Sequence, residues 1–250
     1  MRTNRVVMRT NHSGGKRPSG RPFLLGRSSV VLPVALFALV AFVANRPSFA
    51  LPIEGGKQIV DNERVTVWDV IWPSGHGAAQ PRPADTVTVA LNDGPIRVVD
   101  ITGTEKTITR NIGDVQFEVR GEGHREESIG AAVPHDVLIE LKDAKVPPLA
   151  NTSGYPNAFP RPGSRKVLEN HRIVCWDYTW TPGVATPMHF HDKDVVVVYL
   201  ETGVLASTTP DKQVVNNPHY FGFTKFNGRD RSHTETLIQG KGRAIIVELK

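Results

Sequence analysis

The sequence contains a single cysteine, Cys175, among its 250 residues. One thiol makes no intramolecular disulfide, so the fold has to be held together by a hydrophobic core. Cys175 lies within the apolar, strand-like stretch HRIVCWDYTW. We therefore expect it to be a small buried hydrophobic residue and not a nucleophile.

Acidic residues are missing from residues 1–50, which hold eight of the 30 lysines and arginines. This basic segment contains an apolar run over residues 30–44, followed by the small-residue sequence Ser48-Phe49-Ala50. Basic, apolar and cleavage-site regions in this order are typical of a signal peptide. The run of 15 residues is short for a membrane span, which needs about 20. We expect cleavage after residue 50 and a periplasmic or secreted protein. An uncleaved leader, which would be the one membrane contact, is the alternative.

The remainder of the chain lacks the features of several large function classes. Without the eight basic residues of the leader, 22 lysines and arginines stand against 25 acidic residues, a balance of −3. This part of the chain therefore has no positive excess with which to bind nucleic acid. It also has no glycine-rich phosphate loop and no Gly-x-Ser-x-Gly elbow, which excludes the common nucleotide-binding and hydrolase patterns.

The chain after residue 50 repeats one pattern. Residues 62–72, NERVTVWDVIW, match residues 170–180, NHRIVCWDYTW, at an offset of 108. The same offset relates residues 138–142, LIELK, to residues 246–250, IVELK. Such a repeat predicts two copies of one structural unit. Four tryptophans at repeated positions are expected in the cores: Trp68, Trp72, Trp176 and Trp180.

Each copy consists of short segments rich in valine, isoleucine, threonine and aromatic residues, separated by turn residues, and no amphipathic helix is evident. This pattern predicts an all-β barrel or sandwich in each copy. Residues 146–166 begin with the Pro/Gly-rich sequence VPPLANTSGYPNAFPRPGS and are predicted to be an interdomain linker. The predicted domains are therefore residues 51–145 and residues 167–250.

The second copy carries a pair of histidines, His189 and His191, ahead of a valine-rich segment and a turn at Gly203. Side chains at i and i+2 of a strand project to the same side, so the pair offers two imidazoles on one face. A third histidine, His233, follows on a later segment. Imidazoles gathered in this way are typical of a transition-metal site.

These motifs resemble the cupin superfamily, in which a His-x-His pair, a Glu, a glycine turn and a distant His line a small β-barrel. The resemblance covers most of residues 60–250. It implies two tandem cupin-like β-barrels of the double-sheet jelly-roll type, a bicupin. It also implies that His189, His191 and His233 hold one divalent transition metal, with Fe, Mn, Ni, Cu and Zn left open. Three protein ligands leave coordination positions free, which is the pattern of a catalytic site.

The first copy lacks the histidine pair. When Gly94 is aligned with Gly203, the sequence Gln80-Pro81-Arg82 falls where the second copy has its His-x-His motif. Glutamine and arginine are poor metal ligands. His124 aligns with His233 but has no histidine partners, so we expect it to be a hydrogen-bonded or surface residue. The first barrel is therefore predicted to hold no metal.

The second copy departs from the cupin pattern where a carboxylate ligand is expected. The family's Glu falls on Val196, and the nearby acids are Asp192 and Asp194. Asp194 could reach inward if its strand is bulged. The Pro and the Asn that usually flank the last histidine are missing too. Glu235 shares a face with His233 if the segment is a strand. It is the candidate catalytic acid or base, with a fourth ligand or an orienting partner as alternatives.

The leader predicts export, and the resemblance implies a metalloenzyme: a dioxygenase-like oxidoreductase, a decarboxylating lyase or an isomerase acting on a small molecule. Three neutral imidazoles leave the charge of a divalent ion uncompensated, so we expect an anionic substrate. A non-catalytic exported protein of cupin fold, which binds a small ligand or serves as a scaffold, is the alternative function. A homodimer is left open as the assembly.

Overall fold

The computed structural model describes residues 53–73, 78–131 and 133–250. The regular secondary structure of these residues consists of antiparallel β-strands. The predicted signal peptide, residues 1–50, lies outside the described residues. Within the described part, no helix has the length and apolar character that crossing a membrane requires.

The described strands of the first half form a five-stranded and a three-stranded sheet. Their orders are β1-β2-β8-β3-β6 and β5-β4-β7. The strands are β1 Gly56–Asp61, β2 Val65–Ile71, β3 Asp85–Ala90, β4 Gly94–Asp100, β5 Glu105–Arg110, β6 Val115–Glu118, β7 His124–Ser128 and β8 His135–Leu141.

The second half also forms two sheets, with the orders β9-β10-β17-β12-β15 and β14-β13-β16-β11. Its strands are β9 Ser164–Glu169, β10 Ile173–Trp180, β11 His189–His191, β12 Asp194–Tyr199, β13 Gly203–Thr208, β14 Val214–His219, β15 Thr224–Asn227, β16 Arg231–Gly240 and β17 Gly242–Leu249.

The two halves have the same strand order, with β1 to β8 corresponding in sequence to β9, β10 and β12 to β17. Their pairing registers agree as well: Val65 faces Leu141 in the first half, and Ile173 faces Leu249 in the second. Both pairs keep the offset of 108 that the sequence repeat shows. The predictions of an all-β fold and of two tandem barrels are therefore confirmed. The additional strand of the second half is β11, which carries the histidine pair.

Side chains of β10 alternate between two apolar layers, as expected for a strand buried on both faces. Trp176 and Tyr178 pack inside the second barrel. Ile173 and Cys175 pack on the opposite face, against residues of the first half. The prediction for Cys175 is confirmed, since its side chain is fully buried and burial raises the pKa of its thiol to about 12. The four repeated tryptophans are also buried.

One apolar layer is shared by the two halves, which we call the shared core. It lies between the two five-stranded sheets and contains side chains from both. The described residues from Ile53 onward accordingly belong to one compact unit. The buried members of the shared core are Val65, Val67, Val87, Val89, Leu91, Val137, Ile139, Leu141, Ile173, Cys175, Val196, Val198, Leu200, Ile245, Val247 and Leu249.

The segment predicted as an interdomain linker, residues 146–166, contacts the second barrel. The Phe190 amide of β11 donates to the Pro156 carbonyl, and the Ala158 amide donates to the Phe190 carbonyl, each at 2.8 Å. Phe159 stacks on Trp176 with ring centroids 5.2 Å apart. The segment therefore flanks β11 on the side away from β16, and its last three residues, 164–166, already belong to β9.

Candidate metal centre in the second barrel

The structure brings the three predicted histidines together inside the second barrel. His189 and His191 lie on β11, and His189 pairs directly with His233 of β16. Their ring centroids are 4.7 to 5.1 Å apart. Nitrogen atoms of the three rings lie within 4.8 Å of one another, and all three residues are buried. This geometry can hold one metal ion.

The three imidazoles are neutral at ordinary pH. Burial and, after it, the nearby arginines lower the pKa of His189 and His191. Burial also lowers the pKa of His233 to about 4, although Glu235 opposes the shift. Neutral imidazoles offer the lone pair that a metal requires.

Several ring nitrogens of this cluster have no hydrogen-bond partner among the described residues. They are both nitrogens of His191 and Nε2 of His233. Buried polar atoms are almost always partnered, so such orphans indicate a group that the site is built to receive. The donor set of neutral imidazoles fits a divalent transition metal.

Glu235 lies on β16 with its carboxylate beside the histidine cluster, on the face that the sequence predicts. Its Oε1 is 3.6 Å from His233 Nε2. Its Oε2 accepts from the Trp180 indole N–H at 3.1 Å and from Arg161 at 3.3 Å. Burial by itself raises the pKa of Glu235, but Arg161 and the histidines outweigh it and hold this pKa below its usual value. Glu235 is therefore an ionised carboxylate.

The strand that carries the carboxylate in the family pattern offers none here. Val196 faces the shared core, whereas Val195 and Val197 line the cavity beside the histidines. The sequence alignment had placed Val196 at the inward position, which is wrong by one residue. An alignment cannot show which residues of β12 face inward after the short break that follows β11. The expectation that this carboxylate ligand is missing is unchanged, since the inward residues are valines as well.

The two acids near the histidine pair do not point to the cluster. Asp194 forms an ion pair with Arg64 at 3.4 Å and accepts from the Arg229 amide at 2.9 Å. The pairing of β12 with β17 runs from Asp194 without a bulge, so the inward turn considered for Asp194 does not occur. Asp192 forms an ion pair with Lys193 at 2.7 Å.

Comparison with known proteins finds similarity in structure only. No protein-family model and no curated protein matches the sequence. Protein Ylba from E. coli has a TM-score of 0.54 at 11% identity, covering 81% of this chain and 87% of its own. A cupin 2 conserved barrel domain protein from Leptotrichia buccalis has a TM-score of 0.50 at 13% identity, covering 81% and 90%. An oxalate decarboxylase from Lactobacillus farciminis, solved as a formate complex, has a TM-score of 0.51 at 12% identity, covering 80% and 82%.

Each alignment spans about four fifths of the chain, more than either half alone. The chain has the bicupin fold. The cupin resemblance that the sequence suggested is thus confirmed at the level of the fold, with the histidine cluster in the second cupin barrel.

The first cupin barrel has a network of charges where the second has its histidine cluster. His124 contacts Glu118 at 2.6 Å and Glu126 at 3.4 Å. Arg110 joins Glu126 to Asp136, at 2.5 and 2.8 Å. These side chains are buried or nearly so. The three-histidine cluster is the metal-binding grouping found among the described residues. His124 is therefore a hydrogen-bonded histidine within an ion-pair network.

A cavity of about 200 Å³ lies beside the histidine cluster of the second cupin barrel. Its lining includes three basic side chains, Arg161, Arg231 and Lys225, and one acid, Glu235. Arg231 contacts His233 Nδ1 at 3.3 Å. The cavity is thus large enough for a small molecule and carries an excess of positive charge.

Sequence reasoning missed the basic side chains of this cavity. Arg231 lies two residues before His233, so strand parity alone could have placed it on the same face. Arg161 gives no such signal, because it lies in the proline-rich segment between the barrels. Its guanidinium is placed by aromatic rings, 4.0 Å from the Tyr178 ring centroid and 4.7 Å from that of Phe159.

Proposed function

We propose that the second cupin barrel binds one divalent transition metal through His189, His191 and His233, and that the protein is a metalloenzyme acting on a small anionic molecule. The observation that carries this proposal is the cluster of three buried, neutral imidazoles, two of which, His191 and His233, have unpartnered nitrogens. Fe, Mn, Ni, Cu and Zn are all compatible with such ligands. When bound, the ion supplies Lewis acidity to anionic oxygens of the substrate.

The charge of the cavity supports an anionic substrate. Arg161, Arg231 and Lys225 stand against Glu235 alone, so the lining carries a net positive charge before any metal is added. Positive charge in a partly desolvated cavity attracts anions. Arginine also binds carboxylates in a bidentate manner. The similar structure from Lactobacillus farciminis belongs to an oxalate decarboxylase and contains formate, which makes small carboxylates the first substrates to test.

Glu235 is the residue for proton movement in this site. Arg161 and Trp180 hold its Oε2, while its Oε1 lies toward His233. An ionised carboxylate in this position accepts a proton or a hydrogen bond from a substrate, and does not deliver a proton at the start of the reaction. Decarboxylation, dioxygenation and isomerisation are the proposed reaction types in which such a group would act.

A non-catalytic ligand-binding protein is the second candidate. It is favoured by one observation: Glu235, the single acid among the described residues lining the cavity, is already engaged in an ion pair. A protein that only binds an anion needs the basic side chains and no free acid or base.

Metal analysis tests the proposed function. Purified protein should contain one equivalent of metal per chain by elemental analysis, and His189→Ala with His191→Ala should empty it. His124→Gln, which changes the aligned histidine of the first barrel, should leave it loaded. Two equivalents per chain, or full loading without His189 and His191, would contradict the assignment.

Ligand titration separates the anion preference from metal binding. The loaded protein should bind small carboxylates and enolisable diketones more tightly than neutral analogues of equal size, as measured by calorimetry. Equal affinity for the anionic ligands and their neutral analogues would contradict the proposal of an anionic substrate. Binding without turnover of any tested anion would favour the non-catalytic candidate.

We also propose that the protein is exported, on the strength of the leader sequence alone. The mature chain should begin at Leu51, which intact-mass measurement on protein from the native compartment would show. A mass that retains residues 30–44 would indicate an anchor instead.

A further inference from the structure

Arg161 occupies a nitrogen that the metal needs. The Nδ1 atom of His189 donates to the Pro187 carbonyl at 2.8 Å, so the lone pair of this neutral imidazole is on Nε2. Arg161 Nη1 lies 3.1 Å from that Nε2. A guanidinium has donors only, so Arg161 donates to Nε2 and uses its lone pair. The same lone pair would have to coordinate a metal.

Several contacts hold Arg161 in this position. Its side chain is 6% exposed and forms an ion pair with Glu235 at 3.3 Å. Its guanidinium also lies over three aromatic rings, those of Phe159, Tyr178 and Trp180. Cation–π contacts of this kind strengthen when the cation is desolvated. The contact with His189 is thus one part of a built site for the guanidinium.

Arg161 also opposes a metal through its charge. Arginine stays protonated in proteins, and like charges repel strongly where water is excluded. A divalent ion at His189 Nε2 would therefore lose a hydrogen bond of the free protein and gain a neighbouring positive charge. Both effects weaken metal binding.

We infer that Arg161 competes with the metal for His189 and thereby sets the metal affinity of the three-histidine site. This inference rests on the proposed metal site. Loading requires the guanidinium to turn away from Nε2, and its contacts with Glu235 and the Tyr178 ring allow it to remain in the cavity. Arg161 is a positioning residue in this role, because it acts on the ion through His189.

Lys225 provides the control. It is another cation that lines the same cavity, and its ammonium lies 5.9 Å from the Tyr199 ring centroid. Arg231 is unsuitable, because it contacts His233 Nδ1 at 3.3 Å and, as a donor, uses a histidine lone pair just as Arg161 does. Removing Lys225 takes away an equal positive charge from the cavity without freeing a histidine nitrogen.

Cobalt titration tests the inference. The purified protein, stripped with a chelator, is titrated with Co²⁺ and followed by its visible absorption, for wild type, Arg161→Met, Arg161→Lys and Lys225→Met. We expect Arg161→Met to bind Co²⁺ at least tenfold more tightly than wild type. Arg161→Lys should lie between them, because lysine keeps the charge and loses the fork that reaches both Nε2 and Glu235. Lys225→Met should tighten binding by less than Arg161→Met, because it removes a charge and frees no histidine nitrogen.

The outcomes distinguish this inference from the proposed function. Equal affinity in wild type and Arg161→Met, with both binding, overturns the competition and leaves the metal site standing. An equal gain from Lys225→Met reduces the effect to general charge repulsion and also overturns it. If no variant binds Co²⁺, both the metal site and the competition are wrong. Circular dichroism checks the fold, and Arg161→Lys carries the test if Arg161→Met does not fold.

Discussion

Each barrel buries a glutamate beneath a tryptophan. The Trp68 indole N–H donates to Glu140 at 3.0 Å, and the Trp176 indole N–H donates to Glu248 at 2.8 Å. Burial raises the pKa of both carboxyls, while the indole hydrogen bonds act in the opposite direction. The sequence repeat predicted the burial of the tryptophans. It gave no sign of this pairing, because the glutamates lie in apolar strands that are distant in the chain.

Removing one indole N–H should destabilise the protein, because a buried carboxyl then lacks its hydrogen-bond donor. Trp176→Phe is expected to lower the free energy of unfolding by about 1–3 kcal/mol, since Glu248 is left without its donor. Urea denaturation measures the change. Adding Glu248→Met should recover part of the loss, because no unpaired polar group then remains. A double variant that is less stable than the single one would contradict this explanation.

His124 makes the stability of the first barrel depend on pH. Burial alone lowers its pKa, but hydrogen bonds with Glu118 and Glu126 outweigh burial and raise it to about 9 from 6.5. Because the folded pKa lies above the unfolded one, the stabilisation is fully present below pH 6.5 and is lost as the pH rises through 9. The difference corresponds to a stabilisation on the order of 3 kcal/mol.

Unfolding by urea between pH 6.5 and 9.5 should therefore show a falling midpoint in the wild-type protein. His124→Gln should give a flatter profile over the same interval. Parallel profiles for the two proteins would show that another group is responsible.

At the scale of elements, β11 is the difference between the two barrels. It is only three residues long, but it is hydrogen-bonded along both edges. Strand β16 pairs with one edge, and residues 156–158 bond to the other. The corresponding residues of the first barrel, Gln80-Pro81-Arg82, form no strand. A proline there lacks the amide that a central strand must donate.

The turn between β12 and β13 depends on the absence of a side chain at Gly203. A Cβ at this position would approach the Gln239 carbonyl to 2.6 Å and the Lys241 carbonyl more closely still. Backbone atoms cannot yield as a flexible side chain does, so Gly203→Ala should cost about 1–3 kcal/mol. Urea denaturation would measure it. Gly130→Ala is the matched control, because nothing lies within 4 Å of its added Cβ, and it should be close to neutral.

The histidine cluster could be predicted from sequence because strand parity and a repeat fix it. His189 and His191 are two residues apart and therefore share one face of a strand. Aligning Gly94 with Gly203, at an offset of 109, pairs His233 with His124. The position of Arg161 could not be predicted from sequence, since it depends on the packing of an irregular segment against aromatic rings. The direction of the Val196 side chain could not be predicted either, because one residue more or less in the turn after β11 exchanges the two faces of β12.

At the scale of the whole molecule, the shared core joins the barrels. Residues such as Val67 and Ile139 of the first barrel pack in the same layer as Ile173 and Val196 of the second. Neither half can bury its five-stranded sheet alone. The sequence repeat predicted two copies, and it could not show that each copy covers the other.

The two barrels should therefore unfold in one transition. Tryptophan fluorescence and release of bound metal, followed through the same urea titration, should give coincident curves. Residues 146–250 expressed alone should aggregate, since the outer face of their sheet would be exposed. Two separated transitions, or a soluble and metal-binding fragment, would show that the halves are independent.

Because the barrels are expected to unfold together, protection against unfolding should be shared between them. A ligand that binds only the folded second barrel at 100 times its Kd adds about 2.7 kcal/mol to the stability of the cooperative unit. Strands β1 to β8 receive that increment although they touch no ligand. A protease that cuts the opened first barrel should therefore act more slowly when a ligand fills the cavity of the second barrel. The rate of cleavage would report ligand binding in that cavity even though the folded structure of the first barrel does not change.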